Sequence, residues 1–256
     1  MDVALEAALA AADVLRAHFG RVQAVGRKGD VDLVTAADRE AEAVIVRHIR
    51  QRYPEHRIVA EESGEHPGEA DFVWYVDPLD GTTNFVHAFP HFAVSIGLVA
   101  HGGLEAGVVI DPLRREVFHA ARGRGSFLDD RPIQVSRTAT LCDALVGTGF
   151  PYDRRDTADR LLLPLGRVLR ASRGVRRAGA AALDLAYVAC GRMDAYWEAR
   201  LQPWDTAAGS LLVTEAGGTI SALDGSRPVP VFRDILASNG LVHEELRHVV
   251  AAADGM

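Results

Sequence analysis

Two carboxylates three residues apart, Asp77 and Asp80, sit in the stretch Trp74-Tyr75-Val76-Asp77-Pro78-Leu79-Asp80-Gly81-Thr82-Thr83-Asn84-Phe85. Paired acids bind divalent cations, and free backbone amides bind phosphate oxygens. Gly81 permits a tight turn and a close backbone approach to a ligand. Thr82 and Thr83 are suited to satisfy free N–H groups where a helical turn starts. Glu61 and Asp205 share this setting: each lies at the end of a predicted strand or the start of a predicted helix, where loops gather into sites. Two like charges about 4 Å apart repel by roughly 4 kcal/mol at an effective dielectric near 20. Several such acids in one pocket therefore need cations, or some must be protonated. Oxygen ligands without histidine or cysteine favour Mg²⁺, with Mn²⁺ as the alternative and Zn²⁺ less suited. An acid shared by two ions would set them roughly 3.5–4 Å apart, a spacing used for in-line displacement at phosphorus. The plainer reading of Asp-Pro and Asp-Gly is a surface turn.

The elements around these acids follow from local pattern. Phe72 to Val76 is aromatic or β-branched without a break, which suits a strand buried on both faces. Pro78 lacks a backbone donor and is expected to stop the ladder there. Upstream, apolar residues at helical spacing predict a helix over 3–19. Gly26 to Asp32 reads as a polar loop. Thr35 is the expected N-cap of a helix over 36–52, with Asp38 in its first turn, where an acid complements the helix dipole. A short strand over 57–60 runs straight into Glu61-Glu62-Ser63-Gly64. Strands follow near 92–100, 104–110 and 115–120. Arg122-Gly123-Arg124-Gly125 lacks nucleotide-fingerprint spacing and reads as a hairpin end. Further on, the pattern predicts strands over 142–148, 174–177, 194–198, 219–222 and 235–238. Helices are predicted over 156–172, with a kink at Pro164, from 179–182 onward, over 206–216 after Pro203-Trp204-Asp205, and over 241–252. The first half, about 1–140, reads as α+β and the second, 141–256, as α/β, in one layered α/β or α+β domain.

Composition narrows the functional classes. The chain has 256 residues, 48% of them hydrophobic, enough for a sizeable core. A net charge of −7 argues against broad nucleic-acid binding through a basic surface. No apolar run is long enough for a membrane span, and the acidic N-terminus does not read as a signal peptide. Cys142 and Cys190 lie far apart in apolar settings; both read as small core residues, with no disulfide framework, and a cytoplasmic location fits.

Six blocks then carry a resemblance to a known family. Asp77 to Phe85 and Trp204-Asp205-Thr206-Ala207-Ala208-Gly209 look like the two signature motifs of the inositol monophosphatase family. Asp32 to Asp38 and Glu61-Glu62-Ser63-Gly64 match its upstream blocks. Gly179 to Leu185 and Gly191 to Glu198 match its substrate-side blocks. The blocks fall in order across nearly the whole chain and are closest to the bacterial inositol-1-monophosphatase branch. The resemblance implies a single α-β-α-β-α layered domain over 1–256, of the inositol monophosphatase/fructose-1,6-bisphosphatase type. It implies a phosphoric monoester hydrolase using two or three Mg²⁺. Glu61, Asp77 and the Leu79 carbonyl would hold the first ion, Asp77, Asp80 and Asp205 the second, and Glu61 a weaker third. The Gly81 and Thr82 amides would cradle phosphate. Thr82 and Asp38 would orient the attacking water, and Glu61 would help deprotonate it. Glu198, Asp205 and the backbone of Gly179, Ala180 and Ala181 would meet the rest of the substrate. Lithium inhibition and a homodimer are also implied.

Some positions depart from the family or carry no assigned role. Arg200 replaces a glycine, and could contact an anionic substrate or a neighbouring subunit. Asp130 stands where many relatives have a turn glycine. Arg27 or Lys28 would fill a basic position near the phosphate. His87 and His91 read as packing or loop residues, Glu62 as an acid behind the ligands, and Trp204 as a wall behind Asp205. The favoured substrate is myo-inositol 1-phosphate. Histidinol phosphate, fructose 1,6-bisphosphate and nucleotide 3′-phosphates remain open to the same chemistry. The rival of another class is a regulatory protein of this fold acting on the transcription machinery.

Overall fold

The computed structural model describes residues 1–21, 25–27, 33–226 and 231–251. Lys28 and Asp32 fall outside these residues, and so does the Arg27 side chain. Helices α1 (Asp2–His18) and α2 (Ala36–Arg52) flank a short hairpin, β1 (Val25–Arg27) with β2 (Leu33–Thr35). Eight strands then form the larger sheet: β3 (His56–Ala60), β4 (Gly64–His66), β5 (Glu69–Asp80), β6 (Ala93–Ala100), β7 (Gly103–Asp111), β8 (Glu116–Ala121), β9 (Ser126–Leu128) and β10 (Arg131–Ile133). Their spatial order is β10-β9-β8-β7-β6-β5-β3-β4, antiparallel throughout except where β3 runs parallel to β5. A short helix, α3 (Thr82–Val86), follows β5.

The smaller sheet contains β11 (Leu145–Thr148), β12 (Gly174–Arg176), β13 (Ala195–Glu198), β14 (Thr219–Ser221) and β15 (Ile235–Ser238), in the order β12-β11-β13-β15-β14. Helices α4 (Arg154–Ala171), α5 (Ala181–Ala189), α6 (Pro203–Glu215) and α7 (His243–Ala251) lie around it. Helices α1 and α2 cover one face of the larger sheet, and α5 and α6 fill the space between the sheets. Helices α4 and α7 close the far face of the smaller sheet. The result is the expected α-β-α-β-α layering.

Small residues set the spacing of these layers. On α1, Ala4, Ala7, Ala8, Ala11 and Ala12 are buried at helical spacing and meet Ala37 and Ala41 of α2. Gly97 and Gly107 stand opposite one another on β6 and β7. A Cβ on Gly97 would lie 2.6 Å from Ala207 Cβ, and one on Gly107 would lie 2.8 Å from the Ala208 carbonyl oxygen. Two bare positions in register thus let α6 rest directly on the sheet.

Five expectations need correction. Pro78 does not end the ladder: β5 continues to Asp80, with Asp77 opposite Ser95 and Asp80 opposite Ala93. The extra residue is absorbed as a bulge, where a missing donor is tolerated. The cap of α3 is Gly81, at φ 96°, and Thr82 is already helical. The strand expected over 142–148 begins only at Leu145, because Leu141–Asp143 closes a 3-10 turn tied by the Thr140 hydroxyl to the Asp143 carboxylate. Helix α6 starts at Pro203, so Asp205 lies in its first turn and does not precede it. Cys142 is exposed and not a core residue; both thiols are free.

Candidate active site

The parallel pairing of β3 with β5 brings the first two acids together. Ala60 pairs with Val76, and the Glu61 amide donates to the Val76 carbonyl at 3.1 Å. Glu61, just past the end of β3, and Asp77, near the end of β5, therefore stand side by side. Such a crevice beyond the carboxyl ends of parallel strands is a common ligand site. Asp77 is buried, and its Oδ1 accepts from the Leu79 amide at 3.0 Å. Burial first, then the charges of Glu61, Asp80 and Asp205, push its carboxyl well above the usual carboxylate range.

Helix starts hold the other acids. The Asp80 carboxylate accepts from the Ala181 amide at 3.2 Å and the Ala182 amide at 2.7 Å, at the start of α5. Burial raises Asp80 to about 6 against the pull of these amides. Asp205 Oδ2 accepts from the Gln202 amide at 2.7 Å, closing a capping box on α6. Burial raises it also, and Asp80, Glu61 and Glu198 add to the effect. Asp38 is fully buried at the start of α2, where the Thr35 amide donates to its Oδ2 at 2.8 Å. The Thr82 hydroxyl lies 3.3 Å from Asp38 Oδ1 and 3.1 Å from the Leu79 carbonyl oxygen. That hydroxyl has one proton and spare lone pairs, so it can donate inward and accept from a water.

Helices α2, α3, α5 and α6 thus all begin at this place. Their positive ends favour anions, and the first amides of α3 have no partner within the helix. Gly81 is required there. Besides its φ, a Cβ would lie 3.2 Å from both the Gly179 and His91 carbonyl oxygens. The cleft above has a volume of about 390 Å³, and its lining includes Glu61, Asp77, Asp80 and Asp205 as well as Arg154, Arg177 and Arg200.

The donor set fits magnesium. All candidate ligands are oxygens, and in Asp77 and Asp205 the neighbouring carboxylates add to burial in raising the pKa, a repulsion that cations would relieve. Among the described residues, no group of three His, Cys, Asp or Glu side chains is arranged to hold a metal ion by itself. Magnesium keeps several waters and takes few protein carboxylates, so an open set suits it better than a cage. The Leu79 carbonyl oxygen lies 3.1 Å from the Thr82 hydroxyl, and when that hydroxyl's one proton points to Asp38 both carbonyl lone pairs are open.

Gly179, Ala180 and Ala181 also border the cleft, with Glu198. The Ala181 amide is committed to Asp80 and does not point free into the cleft. Burial raises the Glu198 carboxyl to about 7, while the Tyr196 hydroxyl and the Arg177 charge pull it down. Arg200 has φ 62°; its amide donates to Asp234 Oδ1 at 2.8 Å and its guanidinium pairs with Asp153. The Glu62 amide is held by Glu42 at 2.8 Å. His91 is buried edge-on against Tyr187, while His87 is exposed. Trp204 lines the cleft, and its carbonyl accepts from Ser95. The Gly123 and Gly125 amides hold the Glu215 carboxylate at 2.9 Å each, so the hairpin end anchors a half-buried acid of α6.

Four contributors escaped the sequence reading. Glu42 accepts the Glu62 and Ser63 amides and so holds the loop bearing Glu61. Its signal was present: Asp38 and Glu42 are acids four apart on the buried side of α2. Asn84 Nδ2 lies 2.7 Å from the His91 oxygen and 3.0 Å from the Ala178 oxygen, joining the two loops of the cleft. Asp184 is 1% exposed, and its Oδ1 has no hydrogen-bond partner among the described residues. Arg177 lies over the Phe150 ring, 5.5 Å from its centroid. Asn84 and Asp184 fall inside the matching blocks without a role assigned to them, and nothing local in the sequence marks Arg177.

Comparison with known proteins agrees with the geometry. The family model described as "Inositol monophosphatase family" matches residues 1–254. The chain is 49% identical to the inositol-1-monophosphatase of Synechocystis sp. over 98% of its length and 88% of that protein's. It is 48% identical to Nus factor SuhB of Pseudomonas aeruginosa over 93% of the chain and 91% of that protein. The crystal structure of extragenic suppressor protein suhB from Bartonella henselae superposes with a TM-score of 0.95 at 40% identity, covering 100% of this chain and 99% of that one. Sequence, layering and the gathered acids lead to one assignment: this chain belongs to the inositol monophosphatase family of phosphoric monoester hydrolases.

Proposed function

We propose that the protein hydrolyses a small polyol phosphate, myo-inositol 1-phosphate first among them, in a Mg²⁺-dependent reaction with direct attack by water. The observation that carries this reading is the meeting of Glu61, Asp77, Asp80 and Asp205 beside the free amides of α3 and the Thr82–Asp38 pair. Glu61, Asp77 and the Leu79 carbonyl would hold one ion, Asp77, Asp80 and Asp205 a second, and Glu61 a third; Mn²⁺ is the alternative metal. Bound in this way, the metal would acidify the attacking water and stabilise the leaving alkoxide.

The chain's own groups do the rest. The Gly81 and Thr82 amides receive the phosphate oxygens at a helix N-terminus. Thr82 accepts a hydrogen bond from the water while donating to Asp38, which fixes the water's lone pair toward phosphorus. Glu61 takes the water's proton. Glu198, Asp205 and the Gly179–Ala180 backbone receive the alcohol's hydroxyls. No side chain needs to form a covalent phosphoenzyme. Lithium inhibition, a homodimer and a cytoplasmic location go with this reading through the family. Among the described residues, no helix is long and apolar enough to cross a membrane.

A phosphate-release screen tests it, run on inositol 1-phosphate, histidinol phosphate, fructose 1,6-bisphosphate and nucleotide 3′-phosphates, with and without a chelator. Inositol 1-phosphate is expected to be hydrolysed best, and the chelator to abolish release. Hydrolysis confined to histidinol phosphate would overturn the substrate and leave the chemistry.

Relatives bearing the name Nus factor SuhB favour a second reading, a partner-binding role beside hydrolysis. Comparing wild type with Asp80→Asn separates the two. A variant that releases no phosphate yet keeps its partner and its cellular role would make hydrolysis secondary.

A further inference from the structure

The smaller sheet carries a paired pattern that the proposed chemistry does not yet use. Tyr196 and Glu198 are two apart on β13, so their side chains leave the same face. Opposite them on β11 and just beyond it stand Gly147 and Gly149, also two apart. Gly147 pairs with Tyr196 in register. A Cβ on Gly147 would lie 3.1 Å from Tyr196 Cδ2. On Gly149 it would lie 2.0 Å from Glu198 Oε2 and 2.4 Å from Oε1. The Glu198 carboxylate therefore lies flat over Gly149, in space that any side chain there would take. From the other side, the Tyr196 hydroxyl donates to Glu198 Oε2. Tyr196 is fully buried, and its ring belongs to the core between the two sheets, so it does not line the cleft.

We infer that Tyr196 is a positioning residue, which, with Gly149 as its opposing floor, fixes the Glu198 carboxylate for recognition of the substrate's hydroxyl groups. The inference rests on the reading of Glu198 as the acid that meets the alcohol. The physical reason is economy of freedom. An unrestrained glutamate loses rotamer entropy on being held. One Oε2 lone pair engaged by a rigid, buried phenol leaves the remaining lone pairs of the carboxylate in fixed directions for hydroxyl donors. Burial raises the Glu198 carboxyl toward neutrality and the phenol opposes that rise, so Tyr196 also favours the charged, accepting form.

The test is a double-mutant cycle read with two substrates. Inositol 1-phosphate offers hydroxyls beside the phosphate; phenyl phosphate offers none. In Tyr196→Phe, KM for inositol 1-phosphate is expected to rise about fivefold or more, with KM for phenyl phosphate changed less than twofold. In an Glu198→Ala background, adding Tyr196→Phe is expected to change neither KM further, because contacting residues are not additive when one acts through the other. Thermal unfolding of each variant checks the fold. Should Tyr196→Phe unfold, Gly149→Ala displaces the same carboxylate from the other side and is expected to give the same split between substrates. Equal rises for both substrates, or a full Tyr196→Phe effect in the Glu198→Ala background, would overturn the positioning role. A Glu198→Ala variant with unchanged KM for inositol 1-phosphate would instead overturn the reading of Glu198 on which the inference stands.

Discussion

Aspartate 205 shows what a single acid contributes here. Its carboxyl caps α6 through the Gln202 amide and faces the charges of Asp80 and Glu61. Asp205→Asn keeps the shape and removes one negative charge from the crowd. Phosphate release is expected to fall at least about 100-fold, the scale seen when one preorganised electrostatic group is lost. Stability should move the other way in chelator, where melting temperature rises for the variant because repulsion is relieved. Wild type should recover the difference on adding Mg²⁺, since binding to the folded state stabilises it by mass action. A variant that gains as much from Mg²⁺ as wild type would remove Asp205 from the ligand set. Asp184 gives a prediction with a definite sign. Its carboxyl stands well above the usual 3.8, from burial and then from Glu198 and Asp80. The folded state thus holds this proton more tightly than the unfolded chain. That contribution is full below about 4 and is lost as pH climbs toward the raised value. Asn at this position stays neutral. Asp184→Asn should therefore gain stability over wild type between pH 5 and pH 8, measured by urea midpoints in chelator. An equal difference at both pH values would show that Asp184 is not held protonated. Asp77, Asp80 and Asp205 were legible in the sequence because each sits beside a proline or a helix start. Asp184 was not, because its importance comes from neighbours that lie far off along the chain.

At the level of single elements, α3 is short and depends on its cap. Gly81 holds φ 96°, with carbonyl oxygens from two other loops close to the missing Cβ. Gly81→Ala should cost about 1–3 kcal/mol in denaturant unfolding and weaken phosphate binding. A variant as stable as wild type would mean that the turn can relax without consequence. The hairpin end at Gly123 and Gly125 makes a parallel case: losing the carboxylate in Glu215→Ala leaves two amides without their acceptor. The expected cost is about 0.5–1.5 kcal/mol, because water can reach the exposed Gly123 amide, with activity retained, since this loop lies away from the cleft. Most elements could be read from periodicity and caps, as the close agreement over 36–52 shows. Where the reading failed, the cause was a competing local bond. At Pro78 a bulge absorbed the interruption, and at Leu141–Asp143 a side-chain tie wound the backbone before the strand began.

For the whole molecule, the acids come from both sheet-and-helix halves, and α6 is the part that joins them. It carries Asp205 and rests on the larger sheet through Gly97 and Gly107. A methyl group at Gly107 meets backbone atoms of Ala208 at 2.8 Å and 3.0 Å, which cannot give without moving the helix. Gly107→Ala should therefore lower both melting temperature and kcat, although no atom of residue 107 lines the cleft. Normal kcat in a destabilised variant would show that the layers can shift without disturbing Asp205. The layered architecture was legible through the family's motifs. The glycine seat for α6 was not, because a glycine in a strand does not announce which helix will approach it.

The order of the acids along the chain has a consequence for synthesis. Asp38, Glu61, Asp77 and Asp80 leave the ribosome well before Asp205, and the amides of Ala181 and Ala182 that steady Asp80 also come late. A nascent chain stalled at mid-length would present acids without their last partner and without the helix that seats it. It would be inert toward cellular phosphate esters, and catalytic competence would arrive in one late step, when the final third docks.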